Sequence, residues 1–481
     1  MQSIYWHDYE TFGADPQKDR PAQFAGIRTD LDLNIIGEPL TIYCKPPEDS
    51  LPSPEACLIT GITPQLANDK GLREAEFAKC IHSVFSVPGT CVAGYNSIRF
   101  DDEVSRNLFY RNFYDPYERE WKNGNSRWDI IDVVRLAYAL RPEGIHWPIG
   151  DDGQPTFRLE KLCEANNIEH EAAHDAMSDV YATISLAKLI KSKQPQLYHY
   201  VFAHRDKRSL VDLIELDNLK PLFHVSSKYP ASLGCCALVL PLFQHPVNKN
   251  GYVAFDLRQD PQLLLDLSRE EIEARLYTKT QDLKDGEVRP ALKTIHVNKC
   301  PMLVPAAMIK TISQLNLQSW QLDIGLMQSR LQWFREHPEL ISKLKGVFED
   351  AHKPDSGSDP DLMIYSGGFF SPADKATMAQ IQKCSESELA EGEFLFQDKR
   401  LPEMMFRYKA RNYPAILTEQ EQERWQQHCA NRLLAKDSNY LNFEQLFSRL
   451  SELSIKSAQS DRDRSILEDL KYYAESIIPY S

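Results

Sequence analysis

The chain has 481 residues, more than one domain usually contains, so we expect two to four domains that each bury a core. Its 55 Lys and Arg against 69 Asp and Glu give a formal charge of −14, which excludes an overall basic surface but not a basic lining confined to a cleft. Ten cysteines include no Cys-x-x-Cys pair, which argues against a zinc site and a disulfide framework.

The sequence contains no pattern typical of secretion or membrane insertion. Residues 1–8 lack a basic region and a sustained apolar run, so they predict no signal peptide. The most apolar segments, such as 237–243, are far shorter than the roughly 20 residues that cross a bilayer. We therefore expect a cytoplasmic location and no membrane partner.

The first informative patch, residues 7–13, follows apolar residues 4–6, which predict a strand. Side chains two positions apart on a strand point the same way, so Asp8 and Glu10 would face one side of a sheet. Two carboxylates at that spacing suit Mg²⁺ or Mn²⁺, which leave positions open for water and phosphate. A solvated strand edge or a turn would show the same pattern.

The second patch, residues 95–102, separates a predicted strand at 90–95 from a predicted helix with Val104, Leu108 and Phe109 on its apolar side. Asp at a helix start is commonly an N-cap. Because two acids are present, we assign Asp102 to the helix cap and Asp101 to the metal side.

The third patch, residues 174–179, opens another predicted helix. Its apolar residues recur at helical spacing and are Met177, Val180, Tyr181, Ile184, Ala187 and Leu189. That stripe places Asp179 in a turn facing the interior, where an unpaired carboxylate would be costly without a cation or donor. His174 lies five residues earlier and would project over the same cleft, although a lone His at a helix start is more commonly a surface or capping residue.

The remaining pattern divides the chain into segments. Residues 1–194 alternate strands and helices, as in an α/β domain, and residues 195–350 mix short strands with helices. A polar linker at 351–360 precedes a helical segment, 361–481, in which Ser371 would cap a helix beginning at Pro372. Two late apolar stripes, more typical of core than of a partner surface, comprise Phe443, Leu446, Phe447 and Leu450, then Ile466, Leu470, Tyr473 and Ile477.

The three patches have the form Asp-x-Glu-Thr, Asn-x-x-x-Phe-Asp and His-x-x-x-x-Asp. In that order and separation they resemble the DEDD 3′→5′ exonucleases, in the subgroup with His in the third motif, and residues 59–64 also resemble a segment of that family. The resemblance to the bacterial exonuclease I group within it covers essentially the whole chain, through stretches 7–13, 20–24, 107–117, 125–129, 297–301 and 407–414.

The resemblance implies a ribonuclease H-like α/β exonuclease domain with a mixed sheet (1–194), an SH3-like α+β domain (195–350), the linker (351–360) and a C-terminal helical domain (361–481). It implies a monomeric exodeoxyribonuclease that releases 5′-mononucleotides from the 3′ end of single-stranded DNA, in repair and recombination. Asp8, Glu10, Asp101 and Asp179 would hold two Mg²⁺ ions, with Mn²⁺ as the alternative. His174, with an ordinary pKa of about 6.5, would be the general base.

A site for single strands needs aromatic faces for bases and cations for phosphates. By resemblance, Glu10 and Phe12 would meet the terminal nucleotide, Phe12 as an apolar wedge, although an ordinary core Phe fits equally well. Arg158, before a predicted helix, is the main candidate for a phosphate contact. Further candidates, each equally consistent with a solvated surface charge, are Arg106, Arg135 and Lys207.

Residues 406–413 interleave basic and aromatic side chains, as a strand-binding surface would. Alternatively, Tyr408 and Tyr413 pack the helical segment against the rest while the Arg and Lys side chains extend outward. Both hold if the C-terminal part closes over the cleft as a C-shaped clamp, as the resemblance implies.

The resemblance also implies a protein partner, the acidic C-terminal tail of single-stranded DNA-binding protein. Such a tail needs a cation beside an apolar pocket. Arg141 and Tyr200 match family positions, and Lys310 stands where Arg is usual, which keeps the charge but loses bidentate geometry.

Three other interpretations stay open. The same chemistry would serve a 3′→5′ exoribonuclease or a proofreading exonuclease, although those relatives lack the two further domains. A non-enzymatic single-strand-binding scaffold would not need four carboxylates and His174 intact. A globular protein whose acids are only caps and surface charges would not show three patches in order.

Overall fold

The computed structural model describes residues 2–170, 175–349, 359–436, 439–456 and 460–479. They form two compact units, each discontinuous in sequence. The first unit comprises residues 1–126, 170–181 and 353–481, and the second comprises 127–169 and 182–352. Within the described parts of the chain, no helix is both long and apolar enough to cross a membrane.

Strands and helices alternate in the first third of the chain. In order they are β1 (Ser3–Thr11), β2 (Pro21–Thr29), β3 (Leu40–Cys44), α1 (Pro54–Thr60), α2 (Pro64–Lys70), β4 (Gly71–Leu72), α3 (Glu74–Phe85), β5 (Thr90–Gly94), α4 (Asp101–Arg111), short 3₁₀ helices at Glu118–Glu120 and Lys122–Gly124, β6 (Ser126–Asp129), α5 (Ile130–Leu140) and α6 (Leu159–Ala165).

Helices and a second set of strands follow. They are α7 (Ala176–Lys193), α8 (Pro195–Ala203), α9 (Lys207–Val211), β7 (Leu222–Val225), a 3₁₀ helix at Ala231–Leu233, β8 (Cys236–Gln244), β9 (Gly251–Asp256), α10 (Gln262–Asp266), α11 (Arg269–Tyr277), a 3₁₀ helix at Thr280–Asp282, β10 (Leu292–His296), β11 (Met302–Pro305), a 3₁₀ helix at Ala306–Thr311, α12 (Gln314–Ser319), α13 (Ile324–Glu336) and α14 (Glu339–Glu349).

The C-terminal part is helical. Its elements are a 3₁₀ helix at Pro360–Leu362, α15 (Pro372–Ile381), α16 (Glu386–Glu391), α17 (Leu401–Asn412), a 3₁₀ helix at Pro414–Ile416, α18 (Glu419–Leu433), α19 (Phe443–Lys456) and α20 (Asp461–Ser476). The predicted start of α15 is confirmed, because the Ser371 hydroxyl accepts a hydrogen bond from the Asp374 amide and Pro372 opens the helix.

The first sheet is mixed, with the strand order β4-β3-β2-β1-β5-β6. Strand β1 runs antiparallel to β2 and parallel to β5, so it is paired along both edges. This central position explains the apolar run at its start, since Ile4 and Trp6 are fully buried. The second sheet, β10-β9-β8-β7-β11, is antiparallel throughout.

The first unit has a hydrophobic cluster that joins both ends of the chain. Phe12, the residue that follows β1, belongs to the same cluster as residues of α1, α2, α19 and α20. The two late apolar stripes are confirmed as core, because all their members except Tyr473 are buried or half-buried in this cluster and Tyr473 is itself buried. The C-terminal helices therefore complete the core that lies beside the end of β1.

Candidate active site

Strand β1 presents two predicted ligands beside each other at one end. Asp8 pairs in register with Ala25 of β2, and Glu10 pairs with Gln23. The register shifts between Glu10 and Thr11, so the strand becomes irregular immediately after the second carboxylate. Asp8 is half-buried and Glu10 is 9% exposed, which places both carboxylates out of bulk water.

Helix α7 contributes the third carboxylate to this place. One carboxylate oxygen from each of Asp8, Glu10 and Asp179 lies within 4.8 Å of the others. Asp101, at the start of α4, accepts a hydrogen bond from the Tyr9 amide at 3.1 Å, which puts it beside the same strand end. The structure therefore brings together the four carboxylates that the sequence singles out.

The electrostatics of the cluster favour a divalent cation. Burial raises the pKa of Asp8 well above its ordinary value, and the charges of Asp101, Glu10 and Asp179 raise it further. Burial, followed by the charges of Asp179 and Asp101, raises the pKa of Glu10 to about 8. Such carboxylates repel one another until a cation compensates them, and their oxygens are the ligands that Mg²⁺ and Mn²⁺ prefer. The residues present thus fit a metal site.

Two further side chains at this site have no role in the sequence prediction. The Asp175 carboxylate accepts a hydrogen bond from the Ser178 amide at 3.0 Å, and its charge contributes to the raised pKa of Asp8 and Glu10. His170 Nε2 lies 2.5 Å from Asp179 Oδ1. The second histidine, four residues before His174, is the sequence signal that could have indicated the contact between His170 and Asp179. His174 itself lies outside the described residues, so its role as base stays a prediction.

Asp102 does not cap α4, so that prediction is wrong. The helix begins at Asp101 with Phe100 at the N-cap position, and Asp102 lies in the first turn. Its buried carboxylate accepts a hydrogen bond from Arg119 at 2.6 Å. Asp102 therefore forms an ion pair with an arginine 17 residues away in the sequence instead of capping the helix.

Two predicted DNA contacts of the first unit are engaged within the protein. Phe12 is 3% exposed and lies in the hydrophobic cluster described above, the core position given as the alternative to a base wedge. Arg106 is 4% exposed and donates to Glu120 at 2.7 Å and to Glu103 at 2.8 Å. A phosphate contact by Arg106 would compete with these two carboxylates.

Besides Glu10, which lies in the carboxylate cluster of the first unit, the remaining three predicted DNA contacts belong to the second unit. Arg135 donates to Asp132 at 2.6 Å and lies over the Phe157 ring, so most of its guanidinium is buried. Arg158 is exposed at the N-terminal end of α6, and Lys207 is exposed and donates to Asn250 at 2.6 Å. Arg158 and Lys207 therefore have the accessibility that a phosphate contact requires.

The three predicted partner residues surround β11 and the 3₁₀ helix that follows it. Tyr200 donates to the Leu303 carbonyl at 3.2 Å, and Arg141 donates to the Thr311 hydroxyl at 2.7 Å. Lys310 precedes Thr311 and is exposed. Arg141 and Tyr200 thus contact the segment from β11 to the 3₁₀ helix that contains Lys310, and their binding role stays a prediction.

The segment 406–413 lies mostly in the interior of the first unit, so its arginines do not extend outward. Arg411 donates to Asp49 at 2.7 Å and to Asp361 at 2.6 Å, and Arg407 donates to Asp359 at 2.6 Å. The surrounding side chains form a buried charge cluster, which we define as Arg20, Asp49, Glu74, Arg111, Asp361, Arg411 and Arg432. The packing alternative holds for the tyrosines, since Tyr408 and Tyr413 pack in one hydrophobic cluster. Its expectation that the arginines extend outward is wrong for Arg407 and Arg411, which contact acids of the same unit. A strand-binding surface does not account for these two arginines either.

Comparison with known proteins agrees with this architecture. The family described as "Exonuclease" matches residues 5–187, the exonuclease I SH3-like domain matches 205–350, and the exonuclease I C-terminal domain matches 358–477. The expected fold class, with these three kinds of domain, is confirmed.

Individual relatives match over the full length. Exodeoxyribonuclease I of Escherichia coli strain K12 is 46% identical over 479 residues, which cover 99% of this chain and 98% of the relative. The solved structure of a moderately thermophilic exonuclease I from Methylocaldum szegediense is similar with a TM-score of 0.94 at 48% identity, covering 99% of this chain and 100% of that one. E. coli exonuclease I in complex with a dA16 oligonucleotide gives a TM-score of 0.94 at 45% identity, with coverage of 99% and 100%. The chain belongs to the exodeoxyribonuclease I family.

Proposed function

We propose that this chain is a 3′→5′ exodeoxyribonuclease that degrades single-stranded DNA to 5′-mononucleotides with two divalent cations. The convergence of Asp8, Glu10 and Asp179 within 4.8 Å, beside Asp101, carries the proposal. Solved structures of the E. coli relative in complex with oligonucleotides support the substrate class. Repair and recombination are the processes in which a free single strand with a 3′ end arises.

The four carboxylates would hold the cations, which are proposed to be Mg²⁺ with Mn²⁺ as the alternative. When bound, the cations supply the charge that stabilises the attacking and leaving oxygens of an in-line displacement. The Tyr9 amide fixes Asp101 by a hydrogen bond, and β1 fixes the spacing of Asp8 and Glu10. His174 would take the proton of the attacking water. The E. coli relative has also been solved as a zinc-bound complex with single-stranded DNA, which supports a site for divalent cations in the family.

Hydrolysis of 3′-labelled single-stranded DNA, with and without Mg²⁺, tests polarity, substrate and metal together. Asp8→Ala should lose nearly all activity, because removing a ligand removes the cation that it holds. Asp69→Ala, which removes an exposed acid of the same unit, is the matched control and should keep normal activity. Near-normal hydrolysis by Asp8→Ala would reject the assignment. Faster digestion of RNA or of duplex ends would favour the exoribonuclease or the proofreading alternative.

The acidic C-terminal tail of single-stranded DNA-binding protein is the proposed partner of Arg141, Tyr200 and Lys310. A solved complex of single-stranded DNA-binding protein with exonuclease I from the same family supports this choice of partner. Binding of the isolated tail peptide should weaken in Arg141→Ala and remain unchanged in Arg208→Ala, an exposed arginine of the same unit. Lys310→Arg should bind more tightly, because guanidinium offers bidentate contacts to a carboxylate. Equal binding by wild type and Arg141→Ala would remove Arg141 from the site.

The proposal also covers the cellular compartment, the oligomeric state and the domain boundaries. The structure describes all ten cysteines, and none of them is joined in a disulfide, which supports the proposed reducing compartment, the cytoplasm. A monomer is proposed on the family resemblance, and sedimentation would test it. The boundaries at 194, 350 and 360 stay predictions that limited proteolysis would test.

A further inference from the structure

One oxygen of the predicted metal ligand Asp179 is held by a histidine outside the proposed ligand set. His170 Nε2 lies 2.5 Å from Asp179 Oδ1. The His170 side chain is 8% exposed and that of Asp179 is 20% exposed, so solvent has little access to the contact. Both residues belong to the first unit.

This contact adds a second constraint on Asp179. Its backbone is already fixed at the start of α7, where the Asp179 amide donates to the Asp175 carbonyl at 3.1 Å. The side chain could still rotate, and a rotated carboxylate would move away from Asp8 and Glu10. A hydrogen bond to Oδ1 opposes that rotation and keeps the carboxylate near Asp8 and Glu10. Removing a side chain that orients a metal ligand in this way commonly weakens metal affinity by about 10- to 100-fold.

We propose that His170 is a positioning residue that orients the Asp179 carboxylate and thereby tightens divalent-cation binding. The inference rests on the proposed metal site. It assigns His170 a task different from that of His174, because His170 meets a ligand oxygen rather than the attacking water. Its loss should therefore affect cation affinity and leave the rate at saturating cation nearly unchanged.

Direct Mn²⁺ binding to the full-length protein, measured by calorimetry or by electron paramagnetic resonance, tests the proposal without using activity. His170→Ala should weaken Mn²⁺ binding by about tenfold. His170→Gln keeps an N–H donor and should recover part of the affinity. His82→Gln changes another half-buried histidine of the same unit, bonded to Ser86 rather than to an acid, and should bind as wild type. Hydrolysis at saturating Mn²⁺ should stay within about twofold of wild type in all three, since none removes a ligand.

Mn²⁺ affinity unchanged in both His170 variants would overturn the proposal. If hydrolysis at saturating Mn²⁺ were then slower than in wild type, His170 would be a participant in the chemistry, and if hydrolysis were also unchanged, His170 would have no role at the site. Thermal unfolding of each variant reports folding, and His170→Gln keeps the test valid if His170→Ala does not fold.

An Asp179→Asn arm separates this inference from the proposed function. If Asp179→Asn binds Mn²⁺ as wild type does, the metal assignment fails whatever His170 does. If Asp179→Asn loses binding while His170→Ala does not, the metal site stands and only the role of His170 is rejected. In a double-mutant cycle, the effect of His170→Ala on residual Mn²⁺ binding should disappear in the Asp179→Asn background, because the two residues act as one unit.

Discussion

Asp49 and Arg411 form a buried ion pair at 2.7 Å between residues 362 positions apart in the sequence. The side chains are 0% and 3% exposed. Arg432 lies 3.1 Å from the same carboxylate and Arg20 lies 4.0 Å from it. A buried carboxylate is costly when its cationic partner is removed. The Asp49–Arg411 pair therefore stabilises the association of the N-terminal and C-terminal segments of the first unit.

Asp49→Asn should lower the free energy of unfolding by about 3–5 kcal/mol, since it removes the fully buried carboxylate that Arg411 and Arg432 both contact and leaves an excess of positive charge in the cluster. Urea unfolding followed by circular dichroism measures this change. The matched control is Lys122→Ala, which removes an exposed pair with Glu118 and should cost less than about 1 kcal/mol. Equal effects of the two substitutions would show that the buried pair contributes no more than a surface pair.

Glu74 should make the stability of the first unit depend on pH in the acid range. Burial alone would raise its pKa, but attraction by Arg111 and Arg20 outweighs burial and lowers the pKa from 4.5 to about 2. A folded-state pKa below the unfolded one contributes stability that is present above about 4.5 and is lost as pH falls toward about 2. Glu74→Gln cannot be protonated, so the difference in unfolding free energy between wild type and variant should shrink between pH 5 and pH 3. A difference that stays constant over this range would contradict the prediction.

Phe12→Ala should destabilise the protein by about 3–5 kcal/mol, because it removes a buried aromatic ring from a packed cluster. Phe12→Leu keeps apolar volume and should cost much less. The KM for single-stranded DNA, measured where both variants are folded, should remain close to wild type. A raised KM without a loss of stability would instead support a wedge against the terminal base.

Salt should weaken the binding of single-stranded DNA if cationic side chains such as Arg158 and Lys207 neutralise its phosphates; we call the surface formed by such cations the groove. With four phosphates neutralised, the logarithm of the binding constant should fall with the logarithm of salt concentration at a slope of −0.7 × 4, or about −3. Arg158→Ala, which removes an exposed cation, should reduce the slope by about 0.7, whereas Arg135→Met, which removes a cation already paired with Asp132, should change it little. An affinity that does not depend on salt would exclude the groove.

Local pattern predicted the parts of the site that depend on nearest neighbours in sequence. The alternation of side chains along a strand predicts that Asp8 and Glu10 face the same side, and helical spacing predicts that Asp179 faces the interior. That the three patches converge came from family resemblance, because no periodicity relates residues about 90 and 170 positions apart. Where pattern was used alone, as for Asp102, the actual partner was Arg119 rather than a helix end.

The sequence could not predict which acid pairs with which arginine when the two residues are far apart in the chain. The alternation of Arg and Tyr in 406–413 is the same whether the arginines meet phosphates or buried acids. Only the position of Asp49 and Asp361 in the fold distinguishes these cases. His170 was missed for a related reason, since its contact with Asp179, nine residues later, has no signature in residue spacing.

The discontinuous first unit sets the order in which the enzyme matures during synthesis. The Phe12 amide donates to the Arg20 carbonyl at 2.8 Å, so the turn after Glu10 is joined to the buried charge cluster. Arg411 is made 362 residues after Asp49, a delay of roughly 36 s at about 10 residues per second. Throughout that interval the nascent strand that bears Asp8 and Glu10 lacks its C-terminal core, and Asp49 lacks Arg411 and Arg432. The core beside the end of β1 is therefore completed only when α19 and α20 have left the ribosome, and we expect nuclease activity to begin only then.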